Sequence, residues 1–265
     1  MTKPLEQYNS LLFVGAHPDD LVISSAGLIN RNKSKSHTVT VTDGAALFDT
    51  LYPIIDADNK QYDTPEAIRT VKIKQDIAAM NHLGIHPSKY NNLYVSDQET
   101  YKNIDLIINS IENICSNYHI DAIITHEFPQ GHPDHEVVNF CSHYVASLNN
   151  IDVFEYPMYS ADSDGKTFFG GFISNTKFPT SSILLSDKEF QKKINAMKSY
   201  RSELSYLENL SKRESIRKTV RNIDEYFSPE NRVDYIKWIL KATPEAVREL
   251  LAEYVAVRGP FHESK

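Results

Sequence analysis

Two strand-like runs of this chain each stop at His-Pro-Asp, and nothing else in the sequence limits its fold as sharply. The first is "LLFVGAHPDDL", residues 11–21, and the second is "DAIITHEFPQGHPDHEVV", residues 121–138. An apolar run followed by Pro and Asp reads as a strand turning into a helix. Pro has no N–H to leave unpaired in a first helical turn, and Asp accepts from the backbone donors that are orphaned there. Two such units imply parallel strands joined by helical crossovers, with both turns at the carboxyl edge of one sheet.

The rest of the chain extends this α/β pattern. "HTVTVTDG" (37–44) alternates β-branched residues as a strand does, and a helix is expected from Thr64 to about Leu83, stopping at Gly84. "NNLYV", "DAIITH" and "VFEYP" read as further strands around the helices "IDLIINSIENICSNY" and "HPDHEVVNFCSHYVASL". Residues 45–63 form a loop longer than packing requires, which suggests a binding role. Beyond about residue 186 only helical spacing is read, in "KEFQKKINAMKSYRSELSYLENL", "RVDYIKWILK" and "PEAVRELLAEYVAV". The expected division is a catalytic unit over 1–210 and a helical extension over 211–265, which either caps the pocket or builds a homo-oligomer. The basic run "SKRESIRKTVR" (211–221) reads as a solvated helix face.

Composition narrows the partners. With 28 Lys and Arg against 35 Asp and Glu, the formal charge is −7, the wrong sign for nucleic acid or an anionic membrane. A small-molecule substrate is expected. Two cysteines, Cys115 and Cys141, are too few for a disulfide framework or a Cys-rich metal site. No apolar run is long enough to span a bilayer and no signal-like segment opens the chain, so a soluble cytoplasmic protein is expected.

Helix capping alone accounts for Pro and Asp in either turn, but it does not call for histidine in both. His17, Asp20 and His135 offer two imidazoles and a carboxylate, a set that suits catalytic zinc and leaves a position for water. Fe²⁺ or Co²⁺ would also be accepted, because N/O sites discriminate weakly by affinity. Asp19 is then placed to act as general base, His132 to polarise or protonate the group attacked, and Asp134 to orient an imidazole. The chemistry that uses all these parts is hydrolysis of an amide or ester.

"AHPDD" after the first strand together with "HPDH" after a later one resembles the PIG-L/LmbE-like family of zinc-dependent de-N-acetylases, which act on N-acetylglucosaminyl conjugates. The resemblance runs over roughly residues 10–205 and implies a Rossmann-like fold. It also implies zinc on His17, Asp20 and His135, with Asp19 as base and His132 stabilising the tetrahedral intermediate. Four positions depart from the family pattern. Leu21 replaces a Glu, Lys72 an Arg, Gln75 a Glu and Glu203 a Gln. Lys72 keeps the charge of a substrate-contacting Arg without its bidentate fork. Asp43, in "TDGAALF", is a second candidate for binding a sugar hydroxyl, although Asp-Gly is more commonly a turn. His126, at the end of "DAIITH", is a candidate supporting group.

Two other readings compete. His17-x-Asp19 with His135 also fits the facial triad of non-haem iron oxygenases, which would call for a β-sandwich-like scaffold. The four departures would suit a sugar-binding protein on a retired enzyme fold, although every proposed ligand and the base are retained.

Overall fold

In a computed structural model the described residues are 5–46, 54–128, 132–161, 167–172, 178–227 and 242–259. Strand β1, Leu11–Gly15, is buried along its whole length, as is β6, Ala122–His126. Such continuous apolar runs are what a parallel strand covered on both faces requires. Around them the chain runs β1, α1 (Asp20–Arg31), β2 (Ser36–Ala46), a small hairpin β3 (Ile54–Ile55) and β4 (Gln61–Tyr62), then α2 (Pro65–Leu83). It continues through β5 (Tyr90–Asp97), α3 (Ile104–Tyr118), β6, α4 (Pro133–Asn149) and β7 (Asp152–Tyr156). A second hairpin, β8 (Tyr159–Ala161) and β9 (Thr167–Phe169), precedes β10 (Thr180–Leu184), α5 (Asp187–Met197), β11 (Arg213–Thr219) and α6 (Pro244–Arg258).

Seven strands form one sheet in the order β10-β11-β7-β6-β1-β2-β5. From β7 to β5 every pairing is parallel, whereas β11 and β10 add on antiparallel to β7 and to each other. One face packs on α1, α2 and α5 around Phe13, Leu21, Met80 and Met197; the other packs on α3, α4 and α6 around Val14, Ile107, Phe140 and Leu251. The layered α/β architecture expected from the sequence is therefore present. It leaves the β-sandwich scaffold expected of a facial-triad oxygenase without support.

Local signals set the helix limits. Thr64 caps α2 by accepting from the Ala67 N–H, and Gly84 closes it in the left-handed region at φ 85°. Ser186 and Glu189 form a reciprocal capping box at the start of α5.

The region beyond residue 186 corrects the helices-only expectation. Residues 213–219, within the basic run taken as a solvated helix face, form strand β11, and Glu214, Arg217 and Thr219 are buried there. Charge misleads in this stretch because each buried charge is paired: Glu214 with Lys193 at 2.9 Å, and Arg217 with Glu127 at 2.9 Å. The expected division at residue 210 thus passes between β10 and β11, which are hydrogen-bonded neighbours. Helix α5 stops at Met197, well short of Leu210, and Tyr200 just beyond it buries its ring and donates to Asp76 at 2.6 Å. The helix expected over 232–241 lies outside the described residues.

Candidate active site

Strands β1 and β6 lie side by side, with Phe13 opposite Ile124. The chain leaves them in opposite directions, β1 through α1 to β2 and β6 through α4 to β7. That divergence opens a crevice at the carboxyl edge, where open α/β sheets bind ligands. Both His-Pro-Asp turns stand at this point.

In the first turn the Asp20 carboxylate accepts from the His17 backbone N–H at 2.7 Å. Asp19, formally the N-cap of α1, sits at φ 102° and ψ −30°, and its side chain makes no capping bond. A non-glycine residue held there costs on the order of 1–3 kcal/mol, a strain found at functional sites. Capping therefore does not explain Asp19. In the second turn His132 is the N-cap of α4, and its Nδ1 accepts from the Asp134 N–H at 3.2 Å. A ring nitrogen that accepts a hydrogen bond carries its lone pair, so the neutral imidazole bears its proton on Nε2.

Three side-chain atoms converge between the turns. His17 Nδ1 lies 3.1 Å from His135 Nε2 and 3.6 Å from Asp20 Oδ2, and the last two are 3.5 Å apart. Tetrahedral zinc with bonds of about 2.0–2.1 Å spaces its ligand atoms at roughly 3.3 Å, so this triangle and its N, N, O donor set fit one divalent ion. Asp134, fully buried, accepts from His17 Nε2 at 3.0 Å, from the Gln98 N–H at 2.6 Å and from the Thr100 hydroxyl at 2.6 Å. A carboxylate on Nε2 turns the Nδ1 lone pair toward the other two atoms.

The electrostatics separate neighbouring groups. Burial, followed by the Glu203 and Asp20 carboxylates, pushes the Asp19 carboxyl well above its ordinary pKa. Burial works the same way on Asp20, but His135 and hydrogen bonds from His126, His135 and His17 outweigh it and hold that carboxyl well below the ordinary value. For His132, burial and then His17 press the pKa down to about 3; for His135, burial and then His126 do the same, also to about 3. His17 alone is raised, since Asp97, Asp134 and Asp20 overcome its burial. Carboxylates that favour a proton on His17 equally favour a bound cation.

His17, Asp19, Asp20, Asp97 and His132 line a pocket of about 230 Å³ together with Gly44, Lys72, Gln98, Met158, Glu203 and Tyr206. Lys72 is paired with Glu203. Two residues that depart from the family pattern therefore meet as an ion pair. Leu21 is buried in the core on the α1 face. Asp43 is buried outside this pocket lining, where it accepts from the Ala45 N–H at 2.8 Å and from Arg69 at 2.6 Å. The bond to Ala45 is a local one, to the N–H two residues on, within β2 where Gly44 has φ 69°.

The model of the family described as "PIG-L: GlcNAc-PI de-N-acetylase" matches residues 12–145, half of the chain. The chain belongs to the PIG-L family. Both turns, Lys72 and the whole donor triangle fall inside the matched span, while Glu203 and Tyr206 fall outside it. No curated protein matches the sequence significantly. Among solved structures, the chain is similar to a deacetylase of teicoplanin biosynthesis in complex with teicoplanin, at 16% identity over 80% of this chain and 98% of that one, TM-score 0.61. It is also similar to the N,N'-diacetylchitobiose deacetylase from Pyrococcus horikoshii bound to an inhibitor, at 15% identity over 87% and 90%, TM-score 0.59. A zinc-inhibited form of teicoplanin deacetylase aligns at 15% identity over 79% and 97%, TM-score 0.57. At these identities the likeness is one of fold.

Sequence reasoning passed over two groups of this PIG-L site. Asp97 ends β5 on the same sheet edge and lies 3.2 Å from His17 Nε2. Its pKa is about 2, because His17 outweighs the burial that would raise it. The strand was expected to end at Val95, which hid an acidic residue at a strand terminus. Gln98, at φ 63°, gives only its backbone N–H to Asp134, a contact no residue-type signal marks. His126, a candidate supporting group, is buried, with its Nε2 2.9 Å from Asp20 Oδ2 and its ring stacked 4.2 Å from that of His135.

Proposed function

We propose that this chain is a metal-dependent hydrolase that removes the acetyl group from an N-acetylated amino-sugar conjugate, with His17, Asp20 and His135 as ligands. The observation that carries the reading is the triangle of His17 Nδ1, Asp20 Oδ2 and His135 Nε2 with Asp19 beside it in the pocket. A divalent ion held there, zinc first and Fe²⁺ or Co²⁺ as alternatives, would supply Lewis acidity toward water and the acetamido carbonyl.

The protein groups divide the remaining work. Asp19 takes a proton from the attacking water as the C–O bond forms, and its raised pKa matches it to proton transfer nearer neutrality. The His132 Nε2–H donates to the oxygen on which charge develops, and a neutral imidazole can do so throughout the physiological range. The C–N bond then breaks, and Asp19 returns its proton to the leaving amine, which releases acetate. Asp134 acts through His17 by fixing its ring. Lys72 and Glu203 on the pocket wall offer a donor and an acceptor to sugar hydroxyls. Membership of the PIG-L family and the fold shared with a deacetylase of teicoplanin biosynthesis and an N,N'-diacetylchitobiose deacetylase support this assignment.

The test is metal content of the purified protein and of His135→Ala, together with acetate release from a panel of N-acetylglucosaminyl conjugates. The expected result is about one metal per chain, lost in the variant, with acetate from at least one conjugate. Metal-free protein that still releases acetate would exclude the mechanism, and metal without acetate from any conjugate would exclude the substrate class.

A further inference from the structure

Behind the pocket lies an ion network that takes no part in the chemistry above. Glu155 on β7 accepts from Arg221 through Nε and, at 2.7 Å, Nη2, and from Arg217 Nη2 at 3.1 Å. The same Arg217 nitrogen donates to Glu127 at 2.9 Å, and Arg221 Nη2 donates to the Phe128 carbonyl at 2.8 Å. Asn139 on α4 donates to Glu155 at 3.0 Å and to the His126 carbonyl at 2.6 Å, while Tyr226 donates to Asn139. No side chain of the four charged residues is more than 6% exposed.

The buried part of the network sets two guanidiniums against two carboxylates, and Glu225, partly exposed, accepts from Arg221 Nη1 at 2.9 Å. The network's contacts also converge on one place. His126, Glu127 and Phe128 are consecutive at the exit of β6, and each is gripped by a different member, four to six residues before His132. Apolar side chains of equal volume would fill the space at no greater cost, so stability alone gives no reason for four buried charges. Guanidinium forks do what apolar contacts do not: they fix direction as well as distance.

We propose that the Arg217–Arg221–Glu155–Glu127 network is a positioning device that sets the β6 exit and, through Asn139, which bonds both Glu155 and the His126 carbonyl, the helix α4 that His132 caps, and so holds His132 against the metal ligands. The inference rests on the deacetylase reading for its kinetic test only. It gives residues beyond the span matched by the family model a part in the site, since β11 and the segment after it supply both arginines. A shift of about 1 Å in a group that must meet developing charge costs on the order of 100-fold in rate.

Two variants test it. Arg217→Met with Glu127→Leu removes one guanidinium and one carboxylate, and with them the Arg217–Glu127 and Arg217–Glu155 pairs, while filling their volume; Arg221→Lys keeps the charge but loses the fork. Each is measured for folding by circular dichroism, for bound metal, for kcat and KM, and for the His132 Cε1–H resonance of the zinc-loaded protein. The expected result is folded, metal-replete protein with kcat lower by roughly 10- to 100-fold, KM within about threefold and a displaced His132 resonance. Unchanged kcat and resonance in a folded variant would overturn the proposal, as would a loss of kcat/KM carried wholly by KM or by lost metal. If the double variant does not fold, Arg221→Lys decides alone. If the wild type releases no acetate the functional reading fails, and the resonance still decides the positioning.

Discussion

The two His-Pro-Asp turns share a tripeptide and a place at the sheet edge, yet they use it in opposite ways. In the first, Asp19 holds a left-handed backbone at φ 102° and leaves its carboxylate out of the helix cap. In the second, the backbone of His132 is extended, at φ −134° and ψ 129°, and its ring supplies the cap. One turn stores strain to free a carboxylate; the other uses an ordinary cap to fix a tautomer. The lesson is that a motif match fixes which residues are present, whereas backbone geometry fixes which atom of each is available.

The largest effects should come from breaking what the turns share. Alanine at His17, Asp20 or His135 should abolish both bound metal and turnover, measured by metal analysis and acetate release. Bound metal surviving any one of these would remove that residue from the ligand set. Next, Asp19→Asn should keep the metal and lose about 10²- to 10⁴-fold in kcat. Asp19→Gly should be equally inactive but more stable by about 1 kcal/mol in urea denaturation, because glycine relieves the positive φ. An Asp19→Gly protein no more stable than Asp19→Asn would show that the turn is not strained.

Much of this was legible in the sequence, for physical reasons that also mark where it stopped. The parallel strands announced themselves because continuous burial demands continuous apolar runs, and both turns followed from Pro and Asp. Asp134 could be read as an orienting group without its partner, since that partner, His17, lies more than a hundred residues away and is brought near by strand pairing. β11 was missed because a strand of buried, paired charges carries the composition of a surface helix. Lys72 and Glu203 looked like two separate departures until the fold brought them together. Asp43 was weighed as a turn and as a sugar contact, and Arg69 and Ala45 occupy its oxygens.

A smaller effect sharpens the contrast at the second turn. His132→Asn keeps a good capping side chain, so stability should stay within about 0.5 kcal/mol of the wild type, while turnover falls by roughly 10²- to 10³-fold. His132→Ala should lose the same activity and about 1 kcal/mol as well. If Asn retained turnover, the ring would be a cap and nothing more, and the second turn would become purely structural.

The smallest effect lies within the first turn, between its adjacent carboxylates, in protein stripped of metal by a chelator. Asp19 has a raised pKa, so the folded state binds its proton more tightly than the unfolded chain does. Stability should therefore fall as pH rises from the ordinary carboxylate range, about 4, through the raised value. Asp20 has a depressed pKa, so its contribution is present above the ordinary value and is lost as pH falls through the depressed one. His17, which is raised, adds stability below its ordinary value that is lost as pH climbs through the raised one; this background carries over to the Asp19 variant and is reduced in the Asp20 variant, since Asp20 is one of the carboxylates that raise it. Urea denaturation between pH 3 and 8 should show Asp19→Asn flattening the decline and standing above the wild type at pH 7, with Asp20→Asn below it. Parallel curves for all three proteins would mean that the two carboxylates are alike, and the division of labour between base and ligand proposed above would then have no electrostatic origin in the protein.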